Sequence, residues 1–151
     1  MQPSTSPAVQ EVLAAYRNAV YAQDVAAFMQ LYTTDARVFD TWQVWSYEGS
    51  AQRHPTIVEW FTSLGTERVK VDFEDVQVTQ SPELAVLSAI TTFAAISKQG
   101  AVLRSMQNRL TWGLKFVDGA WRIAHEHTST PIGFADQKAL FQRNAENPAT
   151  S

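Results

Sequence analysis

Residues 102–129 read VLRSMQNRLTWGLKFVDGAWRIAHEHTS. Met106, Leu110, Trp112, Leu114 and Phe116 fall on even positions, and Ser105, Gln107, Arg109, Thr111 and Lys115 on odd ones. This alternation has the period of a strand with one buried face. Asp118-Gly119 is a hairpin signal, because both residue types tolerate the positive φ angles of a type I′ turn. The stretch predicts a long strand from Val102 to Val117, a tight turn, and a last strand from Trp121 to about Thr128. On that last strand, simple alternation puts Trp121, Ile123, His125, His127 and Ser129 on one face.

Upstream, Leu84 to Ser97 reads as another long strand between the turn signals Ser81-Pro82-Glu83 and Gln99-Gly100. Val69, Val71 and Phe73 alternate with polar residues, then the apolar parity flips to Val76 and Val78, which predicts a bulge near Glu74–Asp75. The first half of the chain has a helical period instead. Val9, Val12, Leu13, Tyr16, Ala19 and Val20 define a helix ending near Gln23, with Ser6 or Thr5 as cap and Pro7 in its first turn. Asp24 is placed to cap a second helix, Val25 to Tyr32, and a short strand runs from Ala36 to Phe39. An aromatic loop, Asp40 to Gly49, leads to a third helix capped by Ser50 and running through Leu64, with Ile57, Trp60, Phe61 and Leu64 as its apolar stripe. Pro55 fits such a helix only near its start. Beyond the last strand, Asp136 to Arg143 reads as a short terminal helix.

The division that follows is a flexible tail at 1–7, one domain at 8–135, and a terminal helix with a frayed tail at 136–151. The element order is α+β. It predicts a strongly curved, mostly antiparallel sheet wrapped around three helices, a cone with a pocket at its open end. Composition narrows the function. The net charge of −3, with no basic block, lacks the footprint of nucleic-acid binding. With no cysteine, disulfides, thiolate metal sites and a cysteine nucleophile are excluded. No apolar run approaches a membrane span, and MQPSTSPAVQ shows no signal-peptide pattern, so a soluble cytoplasmic protein is the expectation.

Arg109-Leu110-Thr111, Asp118-Gly119-Ala120-Trp121, Ile123, His125-Glu126-His127, Ser129 and Pro131 together resemble the SnoaL-like branch of the NTF2-like superfamily. The pattern is similar also to the association domain of calcium/calmodulin-dependent kinase II. The front half looks like ketosteroid isomerase, an enzyme on the same fold. That resemblance implies Tyr16 as the donor to a developing oxyanion and Asp40 as the general base. The isomerase's second oxyanion donor, an aspartate on a late strand, falls near Thr111 or Gly113, and neither is an acid. The family implies a small-molecule-binding protein. As an enzyme it would be a cofactor-free isomerase, cyclase or lyase working beside a carbonyl, on a small apolar or aromatic ligand. The alternative is a non-catalytic ligand-binding or oligomer-assembly domain. A homodimer through the outer sheet face is expected in either case.

The residues leave several roles open. Asp40, followed by Trp42 and Trp45, suits a desolvated base, or a loop aspartate that caps a turn. Tyr16, and with it Tyr32, suits a donor at the pocket rim or a core residue. His127 is a second choice to stabilise the oxygen, and His125 a ligand contact. The same pair suits a dimer interface or, with Asp40 as third ligand, a metal site. Arg109 suits an anionic ligand group or a surface pair with Glu126. Trp42, Trp45, Phe61 and Trp112 complete the ligand-binding candidates as aromatic walls. His54 reads as exposed. No phosphate loop, nucleophile elbow or zinc motif is present.

Overall fold

The computed structural model describes residues 8–143. The order is α1 (Gln10–Ala22), α2 (Val25–Met29), β1 (Tyr32–Phe39), β2 (Tyr47–Glu48), α3 (Ser50–Ser63), β3 (Arg68–Gln80), β4 (Leu84–Ile96), β5 (Val102–Val117) and β6 (Ala120–Ser129). The six strands form one curved, unclosed sheet in the order β2-β1-β6-β5-β4-β3. Neighbours are antiparallel except β1 and β6, which run parallel. Among the described residues no helix is long and apolar enough to cross a membrane.

Local chemistry accounts for the helix boundaries. Gln23 closes α1 in the left-handed conformation, with φ at 57°. Asp24 caps α2 by accepting from the Ala27 amide at 3.0 Å. The second helix stops at Met29, short of the expected Tyr32, because Tyr32 already belongs to β1 and pairs with β6. That strand begins at Tyr32 rather than Ala36. In α3, Pro55 lies in the second turn, where its missing N–H forfeits one backbone bond to the Ala51 carbonyl. Asp118 and Gly119 take φ of 52° and 78°, the I′ hairpin their sequence predicts.

Two bulges set which side chains face the helices. In β3 the register slips between Glu74 and Gln77, with Asp75 at φ 54°, as the parity flip predicts. In β6 a second slip had no such warning. Gly113 pairs with His125 and Leu114 with Ile123, so Ala124 is an extra residue. Trp121 and Ile123 are buried on the inner face; beyond Ala124 the parity inverts, and Glu126 and Thr128 are buried instead. The shared face expected for Trp121, Ile123, His125 and His127 therefore does not exist. The core joins β4, β5 and β6 to α1 and α2, with Trp112 fully buried against Tyr16 and Phe73.

The C-terminal segment is not the expected helix. β6 pairs β5 only over Arg109–Val117, leaving the first half of that β5 edge open. Residues 141–143 run along it. The Phe141 carbonyl accepts from the Gln107 amide at 2.7 Å, and Gln142 donates to the Ser105 carbonyl at 2.8 Å. Unpaired strand groups demand partners, and that demand outweighs a short helix's marginal stability. Residues 1–7 and 144–151, read above as flexible or frayed, and the Ser6/Thr5 cap with Pro7, lie outside the described residues.

The β6 bulge yields a direct test. Ile123→Ala should cost about 2–5 kcal/mol of unfolding free energy in urea titrations. His127→Ala should change it by less than about 0.5 kcal/mol, as at other exposed positions. Equal losses would contradict the inverted parity.

Candidate functional site

The site is built on a buried acid. Past the bulge, Glu126 points inward and is only 2% exposed. Its Oε1 accepts from the Tyr32 hydroxyl at 2.5 Å and from Trp112 Nε1 at 3.0 Å. Its Oε2 faces Arg53 Nη1 at 3.5 Å. Arg53 lies four residues before Ile57 on the buried stripe of α3, and its guanidinium also sits over the Tyr47 ring at 5.2 Å. Burial works against the Arg53 charge most strongly of any single influence, but Glu126, Tyr32, Asp40 and Tyr16 together outweigh it and leave the guanidinium more firmly protonated than an ordinary arginine.

Asp40 sits just past the end of β1. Its Oδ1 accepts from the Thr41 amide at 3.0 Å and from the Thr128 hydroxyl at 3.1 Å. Thr128 is oriented in turn by the Thr41 hydroxyl at 2.8 Å, and Thr41 by Asn108 Nδ2 at 3.4 Å. One carboxylate oxygen is thus fixed by a directed chain of donors. Burial raises the Asp40 carboxyl above the usual aspartate range, and Arg53 only partly opposes this. Tyr16, from α1, is held well above the ordinary tyrosine range by burial and then by Glu126. At neutral pH it is a proton donor.

These groups meet on the wall of a cavity of about 660 Å³. Tyr16, Asp40, Arg53, Glu126, Thr128 and Asn108 form its polar side. Ile57, Trp60, Leu64, Val69, Phe93 and Met106 form an apolar side. On the six residues of the polar side, three atoms have no protein partner among the described residues and are not sealed off: the Tyr16 hydroxyl, Asp40 Oδ2 and Arg53 Nη2. Arg53 Nε and Asn108 Oδ1, by contrast, are both sealed and unpartnered. At the mouth, Trp42 stacks on Phe141 with ring centroids 5.2 Å apart.

The structure brings Tyr16, Asp40 and Trp42 together and distributes the other candidates elsewhere. His125 and His127 lie on the outer face; His125 Nδ1 meets the Arg37 carbonyl at 2.8 Å, and both rings pack edge-on to Phe39. The sheet separates them from Asp40, and no group of three or more potential ligands is gathered for a metal among the described residues. Arg109 is also outside, bonded to Ser129 at 3.0 Å, and cannot pair with the inward Glu126. Trp45 is 95% exposed. Tyr32 and Trp112 lie behind the cavity as donors to Glu126, and Phe61 is core. His54 is exposed, as read. Sequence reasoning missed Arg53, Glu126, Asn108 and Thr128. An arginine on an apolar helical stripe was a usable signal for the first, and Gly113 inside a strand was one for the bulge that turns Glu126 inward.

A curved sheet closed over three helices around such a cavity defines an NTF2-like cone. The SnoaL-like domain profile matches residues 9–133, and the chain belongs to that family. Among solved structures, an NTF2-like protein of unknown function from Pseudomonas putida KT2440 superposes with a TM-score of 0.78 at 20% identity, covering 90% of this chain and 93% of that one. A candidate calcium/calmodulin-dependent protein kinase II association domain from Xanthomonas campestris gives 0.68 at 19% identity, covering 85% and 96%. A candidate dehydratase of the NTF2-like family from Streptomyces avermitilis gives 0.70 at 12% identity, covering 83% and 95%. At these identities the likeness establishes the fold. Comparison with curated proteins returns no match.

The raised Asp40 carboxyl predicts a pH signature. The fold disfavours its ionised form, so stability from the neutral form is complete below the ordinary aspartate range and is lost as pH rises through the raised value. Asp40→Asn stays neutral and can keep both accepted hydrogen bonds. Thermal melts should place it level with wild type near about pH 4 and above it at about pH 7. A gap that does not widen with pH would contradict the desolvation argument.

Proposed function

We propose that this SnoaL-like protein binds a small, largely apolar carbonyl compound and moves a proton beside the carbonyl without a cofactor. The observation that carries this reading is the pairing of an unpartnered Asp40 Oδ2 with an unpartnered Tyr16 hydroxyl on one apolar cavity. Asp40 takes a proton from the carbon next to the carbonyl. The C–H electron pair forms the new C=C bond, and the carbonyl π pair moves onto oxygen, where Tyr16 donates a hydrogen bond. Return of the proton to another carbon gives isomerisation; expulsion of a neighbouring leaving group gives elimination. A desolvated carboxylate suits the first step because its raised pKa makes it a stronger base.

Exchange of α-hydrogens for deuterium, followed by NMR over a panel of cyclic and aryl ketones, tests the step without knowledge of the substrate. Wild type should catalyse exchange for at least one ketone, and Asp40→Asn should lower the rate about 100-fold or more. Tyr16→Phe should lower it by a similar factor. Catalysis unchanged in Asp40→Asn, or no exchange across the panel, would leave a ligand-binding domain without this chemistry.

The outer sheet face supports a second proposal, a homodimer. Val86, Gly113, His125 and Arg37 are successive cross-strand neighbours there, and Val86 is 54% exposed. Light scattering should give twice the chain mass for wild type and one chain mass for Val86→Lys. A monomeric wild type would refute it.

A further inference from the structure

We infer that Arg53 is the second group that receives negative charge in the cavity, and that the cavity takes a ligand presenting a single enolisable oxygen rather than a carboxylate. This deepens the proton-transfer reading and rests on it for the identity of the reaction, but not for the binding chemistry.

The Arg53 guanidinium carries five donors, and the residue is 7% exposed. Among the described residues its hydrogen bonding to protein is limited to the contact of Nη1 with Glu126 at 3.5 Å. A buried cation so sparsely bonded is an unusual expense for a structural residue, because buried charges ordinarily satisfy their donors. The donor that opens onto the cavity is Nη2, on the same wall as the Tyr16 hydroxyl.

Which donors are free decides the ligand. A carboxylate is gripped by two parallel N–H bonds from one edge of the fork. The edge that includes Nε is closed because Nε is sealed, and on the other edge Nη1 already contacts Glu126, whose charge opposes a second carboxylate there. One oxygen can still lie between Arg53 Nη2 and the Tyr16 hydroxyl.

Charge balance points the same way. Glu126 from β6 and Asp40 after β1 already face Arg53, and Glu59 adds a third acid to the lining. Arg104, the other lining arginine, is paired with Glu67 at 2.8 Å. A ligand arriving as a carboxylate would add charge to this acidic set. An oxygen that becomes anionic only as Asp40 accepts a proton leaves the total unchanged. The acid missing at Thr111 and Gly113 then has a functional replacement, supplied from α3 instead of the sheet.

The test uses 4-nitrophenol as a single-oxygen anion whose ionised form absorbs visible light. The background is Asp40→Asn, which mimics the protonated base. Bound nitrophenol should ionise at least about one pH unit below the free compound, as expected for an adjacent guanidinium. Arg53→Met combined with Glu126→Gln removes both charges while keeping an acceptor for Tyr32 and Trp112, so that folding, monitored by melting, does not confound the result. In that background the nitrophenol should still bind, without the shift. Benzoate should bind the Asp40→Asn protein at least about tenfold more weakly than nitrophenolate. Nitrophenol bound in its neutral form, a shift that survives loss of Arg53, or benzoate binding as tightly would each overturn the inference. The readout requires no proton abstraction. A clear shift without ketone exchange would retain the Arg53 role and discard Asp40 as base; exchange without a shift would do the reverse.

Discussion

The buried carboxylate of Glu126 is the constraint on which the rest of the structure depends. It stands on β6 and draws donors from three other elements: Tyr32 on β1, Trp112 on β5 and Arg53 on α3. An ionised acid in an apolar interior is tolerated only with such partners. Meeting that requirement fixes how α3 docks against the sheet and how β1 lies beside β6. The cavity is the space left between α3 and the sheet once that docking is set. Its polarity follows from the same contact, because Arg53 reaches the interior to meet Glu126 and leaves a donor facing the void.

The cavity thus has two kinds of wall for two physical reasons. The apolar side, with Ile57, Trp60 and Phe93, continues the hydrophobic packing of the core. The polar side is held by hydrogen bonds directed away from the void. The chain from Asn108 through Thr41 and Thr128 ends on one oxygen of Asp40 and leaves the other free. Preorganisation of this sort costs stability in the empty protein, where a half-desolvated acid and a sparsely bonded guanidinium lie close together, and it spares a ligand the work of reorganising its surroundings.

Much of the architecture was legible in the residues, and the reasons are local. Period-two alternation from Val102 to Val117, the Asp118-Gly119 turn and the parity flip at Glu74–Asp75 each leave a short-range signature, and each has its counterpart in the structure. Tyr16 and Asp40 came from resemblance and meet at the cavity wall. What escaped was non-local. The helix expected at residues 136–143 gave way to an unpaired β5 edge that no window of that segment reveals. The histidines were grouped on one face with Trp121 and Ile123 because alternation was carried unbroken across Ala124. The small residue there and Gly113 opposite it conceal a bulge that hydrophobic patterning cannot register, since neither contributes an apolar side chain of any size.

That one extra residue has a consequence for how such a cavity changes over evolutionary time. His125 and His127 alternate with Glu126 and Thr128 along the same few residues of β6, one pair outside and the other inside. Flattening the bulge with Ala124 retained would exchange the pairs, replacing an acid and a hydroxyl in the cavity with two imidazoles, whereas loss of Ala124 itself would leave Glu126 and Thr128 inside. Substitution alters such a lining one side chain at a time; a one-residue shift of register beyond the bulge swaps a whole set. A strand with a bulge beside its cavity therefore carries two chemical surfaces in one stretch of sequence, and its register selects between them.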